Sequence, residues 1–170
     1  MKHLKKSSLL AFLMILAMFF AVSCDVAQEE DVTDTENEPS VFIDVPDNLI
    51  GTWEFNGQWT ESYTITKDTF SSAGSYAGDS AKVYKTDDKS GYIYIKYTKA
   101  ANADWTYSET APDVGKWYAV HYKDLTDSTL KLSGAYKADG KSATATIEEA
   151  KAEFTVDNGY FGAYSELEKK

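Results

Sequence analysis

Apolar residues are distributed along this chain in three regimes. Residues 9–22 form an almost unbroken apolar run, LLAFLMILAMFFAV, after Lys2, Lys5 and Lys6. Residues 25–40, DVAQEEDVTDTENEPS, contain seven acidic residues, no lysine and no apolar periodicity. From Val41 onward, short apolar-aromatic runs alternate with turn signals. Strands are predicted at Gly51–Phe55, Trp59–Ile65, Thr69–Ser72, Lys82–Lys85, Tyr92–Thr98, Lys116–Tyr122, Thr129–Ala135 and Tyr160–Tyr164. Asn56-Gly57, Asp87–Gly91, Asp139-Gly140 and Asn158-Gly159 punctuate them, as turn residues do between strands. Several short strands at regular spacing predict an all-β barrel or sandwich.

The first hairpin carries a register choice. A two-residue Asn56-Gly57 loop would put Trp53 and Phe55 on the opposite face from Trp59, Tyr63 and Ile65. A three-residue loop, Asn56–Gln58, pairs Phe55 with Trp59 and gathers all five on one face. Side chains alternate with period two, so a half-buried sheet requires the second arrangement or an equivalent bulge. In that register Glu61 faces the Trp53 side and Glu54 the other.

One helix is predicted, about Ile147 to Thr155. Thr146 and Glu149 fit a capping box. Ile147, Ala150 and Phe154 form one apolar stripe, and Asn158-Gly159 ends the segment.

Composition narrows the partners. The chain has 170 residues, 27 acidic and 17 basic, and every basic residue is a lysine. Nucleic-acid binding, which relies on Lys and Arg against phosphate, is not expected. Without arginine there is also no bidentate fork for phosphate or carboxylate. Aromatics are abundant, with 12 Tyr, 4 Trp and 8 Phe; such rings either fill a core or line a pocket.

The N-terminus reads as an export signal: a basic start, a short apolar middle and small residues before a cut. The apolar run of about 14 residues is shorter than the ~20 that span a bilayer as a helix. It ends at Ala21-Val22-Ser23-Cys24, and Cys24 is the only cysteine. This arrangement resembles the lipobox of bacterial lipoproteins, with Ala21 where Leu is usual. The resemblance implies a signal peptide over 1–23 and lipidation of Cys24 on its thiol and new amino group. It further implies a protein exported and lipid-anchored to a bacterial membrane, at the periplasmic face or the cell surface. One acyl chain holds a protein only marginally; lipoproteins of this type carry three. Residues 24–47 then form the lipidated cysteine and an acidic, disordered tether, too polar to bury a core. A stretch of 16–20 extended residues reaches at most roughly 50–65 Å.

The remaining segment, 48–170, is one domain. Leu49-Ile50-Gly51-Thr52-Trp53-Glu54 resembles the Gly-x-Trp opening of lipocalin-like (calycin) barrels, as do Ser62–Thr66 and Gly115–Val120 with small lipocalin-like domains of bacterial lipoproteins. The resemblance implies an antiparallel up-and-down barrel of about eight strands, with the helix before the last strand. A β-sandwich is the alternative. Gly51 and Trp53 become closure residues at one barrel end. Calycins often stack an arginine from a late strand over this Trp; here a Lys or a Tyr has to take its place.

No catalytic or metal set emerges, and no cofactor is expected. His121 is the only histidine after the signal and lies in no nucleophile motif, so an enzyme is not expected. One histidine falls short of a zinc ligand set. The connection Lys99–Gly115 is long for neighbouring strands and holds Trp105, Tyr107 and Pro112. Long loops in compact domains are usually functional or disordered; this one either caps the barrel mouth or packs Trp105 and Tyr107 over a barrel end as structural plugs. Candidate ligand-binding residues are Trp59, Tyr63, Tyr94, Trp105, Tyr107, Tyr118 and Tyr122. Two functions follow: a ligand-binding lipoprotein with a small-molecule partner, or a filled barrel that meets another envelope protein.

Overall fold

The computed structural model describes residues 41–57 and 60–170. Cys24 and Trp59 therefore lie outside the described residues. The strands are β1 (Gly51–Asn56), β2 (Thr60–Ile65), β3 (Phe70–Ser72), β4 (Ala77–Lys85) and β5 (Gly91–Ala101). They continue with β6 (Tyr107–Ser108), β7 (Trp117–Lys123), β8 (Thr129–Gly134) and β9 (Ser165–Lys169), with helix α1 (Ile147–Glu153) before β9. Eight strands form an antiparallel ring in the order β4-β3-β2-β1-β9-β8-β7-β5, which the β4–β5 pairing closes. β6 lies outside the ring and pairs only with the end of β5. The architecture is a closed up-and-down barrel, and the sandwich alternative does not apply. Closure removes the exposed sheet edges that an open sheet would leave.

In the first hairpin Asn56 pairs with Thr60, Phe55 with Glu61 and Trp53 with Tyr63. The pairing is two residues away from the predicted Phe55–Trp59 register. A shift of two keeps the faces, so Trp53, Phe55, Tyr63, Ile65 and Glu61 still share one side. That side is the barrel interior. Along it Ile65, Phe70, Val83, Ile93, Ile95, Val120, Leu130, Leu132 and Leu167 are all buried, and they fill the body of the barrel.

A second layer covers one outer wall. Phe42 packs edge-on to Tyr94, with ring centroids 5.4 Å apart, and Phe161 packs on Tyr92 at 5.6 Å. Ile43 exchanges backbone hydrogen bonds with Val83, at 2.9 and 2.8 Å. This bridge occupies the part of β4 that short β3 leaves unpaired. Residues 42–45, placed by the sequence in the tether, therefore pack on the barrel. α1 forms as its cap predicts: Thr146 Oγ1 accepts from Glu149 N at 3.1 Å, while Glu149 Oε2 accepts from Ala145 N at 3.0 Å. Ala150 is its buried position, and Phe154, which caps its C-terminus, is buried as well.

Two elements differ from expectation. The last strand is Ser165–Lys169 rather than Tyr160–Tyr164. Tyr160 and Phe161 are buried in the outer layer, with Tyr160 against Phe154 at 5.0 Å. An aromatic run signals burial, which outer-layer packing satisfies as well as a strand does. The Lys99–Gly115 connection is also not a loop throughout. β5 runs on to Ala101 and turns back through β6, making a small hairpin that projects from one end of the barrel.

Candidate functional site at the barrel mouth

The two barrel ends are built differently. At the first, Trp53 is fully buried and its indole Nε1 donates to Leu49 O at 2.9 Å. Lys169, from the last strand, places Nζ 5.0 Å from the Trp53 ring centroid and donates to Asn48 O at 3.3 Å. A lysine from the last strand thus lies over the Trp53 ring. Gly51 makes room for it: its φ is +148, and a Cβ there would stand 2.7 Å from Lys169 Cε. Two turns at this end share one chemistry. Thr66 Oγ1 accepts from Asp68 N and Thr69 N, and Thr126 Oγ1 accepts from Ser128 N and Thr129 N. Such side-chain bonds fix a turn without glycine.

The opposite end holds a cleft of about 520 Å³. Its floor is a group of tyrosines brought in by inward positions of separate strands: Tyr63 from β2, Tyr97 from β5 and Tyr118 from β7, with Tyr76 from the bend before β4. Tyr97 and Tyr118 stack at 4.8 Å, and Tyr76 meets Tyr118 edge-on at 5.2 Å. Gly134 admits their hydroxyls: a Cβ there would lie 2.5 Å from Tyr118 Oη and 3.1 Å from Tyr76 Oη. Tyr118 Oη donates to Ala135 O at 3.1 Å.

Glu61 also points into the cleft. Its carboxyl group accepts from Tyr63 Oη and from Ser165 Oγ at 2.7 Å. Burial pushes the phenols of Tyr63, Tyr76, Tyr97 and Tyr118 well above the ordinary tyrosine range, and Glu61 adds to the effect at Tyr63. The floor therefore offers neutral hydroxyls, of which those of Tyr63 and Tyr118, with their protons committed to Glu61 and Ala135 O, remain acceptors.

The rim is aromatic and exposed. Trp105 is 67% exposed and Tyr136 62%, with ring centroids 6.4 Å apart; Tyr107 stands beside them in the lining. Trp105 occupies the left-handed backbone region, with φ of +63. Its turn is tightly bonded: Trp105 N donates to Asn102 O at 3.0 Å and Asn102 N to Thr106 O at 2.7 Å. Asp104 Oδ1 accepts from Thr106 N at 3.1 Å and from Thr106 Oγ1 at 2.6 Å. Left-handed backbone at a bulky residue is unfavourable and persists only where surrounding bonds enforce it.

Of the candidates read from the sequence, the structure brings Tyr63, Trp105, Tyr107 and Tyr118 together in this cleft. It places Tyr94 on the outer wall, buried beneath Phe42. Tyr122 faces inward at the other end, where its hydroxyl is buried without a hydrogen-bond partner; burial and Asp87 push it up to about 12. Neither lines the cleft. Gly51 and Trp53 lie at the closed end. Glu61, Tyr76, Tyr97, Gly134, Tyr136 and Ser165 are cleft residues absent from the sequence-derived set. For Tyr97 the signal was present: Ile93, Ile95 and Tyr97 share one face of β5, and that face is the interior.

His121 lies on the outer wall, away from the cleft. Its Nδ1 is 2.9 Å from Tyr164 Oη. Burial pushes it down to about 4, with Lys123 adding to the shift and Asp87 opposing it. Among the described residues no three His, Cys, Asp or Glu side chains gather as a metal-ligand set, and no helix is long and apolar enough to cross a membrane. No protein-family model, curated protein or solved structure matches this chain.

Proposed function

We propose that this chain is an exported envelope lipoprotein, held to a membrane through lipidated Cys24, whose barrel binds a small molecule at its mouth. The reading rests on one observation above the rest: a cleft of about 520 Å³ floored by tyrosine hydroxyls and a carboxyl group at one end of the barrel. Ligand sites are concave, mostly pre-formed and furnished with a few convergent polar groups. The N-terminal lysines, apolar run and sole cysteine support the anchor. In this reading the Ser165 and Tyr63 hydroxyls, which donate to Glu61, hold its carboxyl group for ligand binding.

The filled interior supports a second reading, a structural or protein-interaction lipoprotein with no ligand. An eight-stranded barrel is just wide enough for side chains to fill, and here they do so below the mouth. Both readings share the anchor. Fatty-acid labelling of the wild-type chain, lost in Cys24→Ser with accumulation of the precursor, tests it; absence of acyl mass on Cys24 refutes it. The two readings separate on incubation with a small-molecule extract of the producing cells. A ligand that binds only the folded state raises the unfolding midpoint, whereas a ligand-free barrel shows no shift.

A further inference from the structure

We infer that the mouth cleft is a saccharide site, in which Trp105 and Tyr136 form a stacking shelf and Glu61 with the tyrosine hydroxyls reads the sugar's hydroxyl groups. The inference rests on the ligand-binding reading above and names the class of ligand. A neutral sugar has two chemically distinct surfaces. Its ring faces carry C–H groups that pack on aromatic planes, and its edges carry hydroxyls that donate and accept hydrogen bonds.

The cleft presents both counterparts in the right places. Trp105 and Tyr136 expose most of their surface at the rim. With centroids 6.4 Å apart and planes inclined at 55°, they stand too close to sandwich a ring, which needs a van der Waals separation of about 3.5–4.0 Å on each side. They form an angled, two-plane shelf instead, on which a sugar face stacks against one ring at a time. Below it, Glu61 already accepts from Tyr63 and Ser165, which fixes its carboxyl group and leaves further lone pairs facing the cleft.

Other ligand classes fit less well. An anion would meet the Glu61 carboxyl group on the floor, with no arginine to receive it and with Lys141, one of the two rim lysines, already paired with Glu153 at 3.2 Å. A cation would meet Lys137 and Lys141 on the lining. A purely apolar ligand would strip water from Glu61 and the phenols without replacing its hydrogen bonds, which is unfavourable.

The backbone of Trp105 adds an independent argument. A left-handed φ at a large, mostly exposed residue contributes nothing to the core, and glycine would hold that turn more comfortably. Strained backbone of this kind clusters at functional sites. Here it aims the indole over the mouth.

The test uses the full chain in lipid nanodiscs, with its tryptophans replaced by 5-fluorotryptophan and the Trp105 fluorine resonance assigned from Trp105→Phe. Probes are maltose, cellobiose, lactose and N,N′-diacetylchitobiose at millimolar concentration, with decanoate and spermidine as apolar and cationic comparators. At least one disaccharide is expected to move the Trp105 resonance saturably while the Trp53 resonance stays fixed. Glu61→Gln is expected to weaken that binding at least tenfold. Trp105→Gly is expected to abolish it without lowering the unfolding midpoint. Decanoate or spermidine shifting Trp105 while all four sugars are silent overturns the saccharide assignment and leaves the ligand cleft standing. Silence of every probe overturns both. A lowered midpoint in Trp105→Gly, with sugar binding intact in the folded fraction, makes Trp105 a structural plug and also overturns the inference.

Discussion

The two ends of this barrel use the same residue type in opposite ways. At the closed end Trp53 is fully buried, its N–H is satisfied by Leu49 O, and Lys169 covers its ring. At the mouth Trp105 is two-thirds exposed, its backbone is left-handed and its ring rests beside Tyr136. The first arrangement stabilises the fold and leaves nothing for a ligand to find. The second leaves apolar surface in water and accepts backbone strain. An aromatic residue is therefore informative only together with what satisfies it: the closed end accounts for all of Trp53's surface and polar atoms, and the mouth leaves Trp105's open.

The largest expected difference between the ends is thermodynamic. Trp53→Ala removes a fully buried ring and should cost about 3–5 kcal/mol in denaturant unfolding; a loss below about 1 kcal/mol would place the ring at the periphery and erase the contrast. The next effect is at the mouth. Gly134→Ala puts a methyl group where the Tyr118 and Tyr76 hydroxyls sit, and overpacking of this kind costs about 1–3 kcal/mol. It should also narrow the cleft, so any ligand should bind more weakly to the folded variant than its stability loss alone explains.

The wall between the ends provides a third test. His121 is held neutral, down to about 4, by burial first and by Lys123, against Asp87. The unfolded chain's histidine titrates near its ordinary value of about 6.5. Between these values the unfolded state binds more protons, so stability falls as pH falls. The contribution is present above about 6.5 and is lost progressively toward pH 4. Allowing for solvent screening, it is on the order of 1–2 kcal/mol. Urea midpoints across that window should slope downward in wild type and flatten in His121→Phe; equal slopes would remove His121 from the account. The smallest effect is the most diagnostic. Trp105→Gly should leave stability unchanged or raise it by up to about 1–2 kcal/mol, because glycine relieves the left-handed backbone. A clear loss would make the two tryptophans alike.

How far the sequence foretold this depended on whether a signal was local. The barrel was legible because period-two alternation and turn residues are short-range properties. Face sharing among Trp53, Phe55, Tyr63 and Ile65 was legible too, since it depends only on parity and survives a two-residue slip. β9 was not. Its inward positions are Ser165, Leu167 and Lys169, and Glu166 and Glu168 lie between them, so little apolar signal remains. The nearby aromatic run 160–164 attracted the strand assignment and belongs to the outer layer. The cleft was half legible. Tyr63 and Tyr118 sit on strands whose inner faces can be read off, and Trp105 stood out by its place in a long connection. Tyr94 was misplaced because both faces of β5 are apolar-aromatic: one lines the interior and the other lies under Phe42. Tyr76 and Tyr136 come from bends and connections whose position follows only from ring closure, and Ser165 opens β9, the strand that the sequence did not reveal.

Native mass spectrometry of the full chain, extracted from its own cells and compared with Trp105→Gly prepared identically, bears most directly on the claim that the mouth is a ligand site. The account predicts a small molecule retained on the wild-type chain, at a mass consistent with a saccharide, and absent from the variant although that variant is equally folded. Bare protein mass in both, from preparations with the same unfolding midpoint, would contradict it and leave the mouth as unfilled surface on a structural barrel.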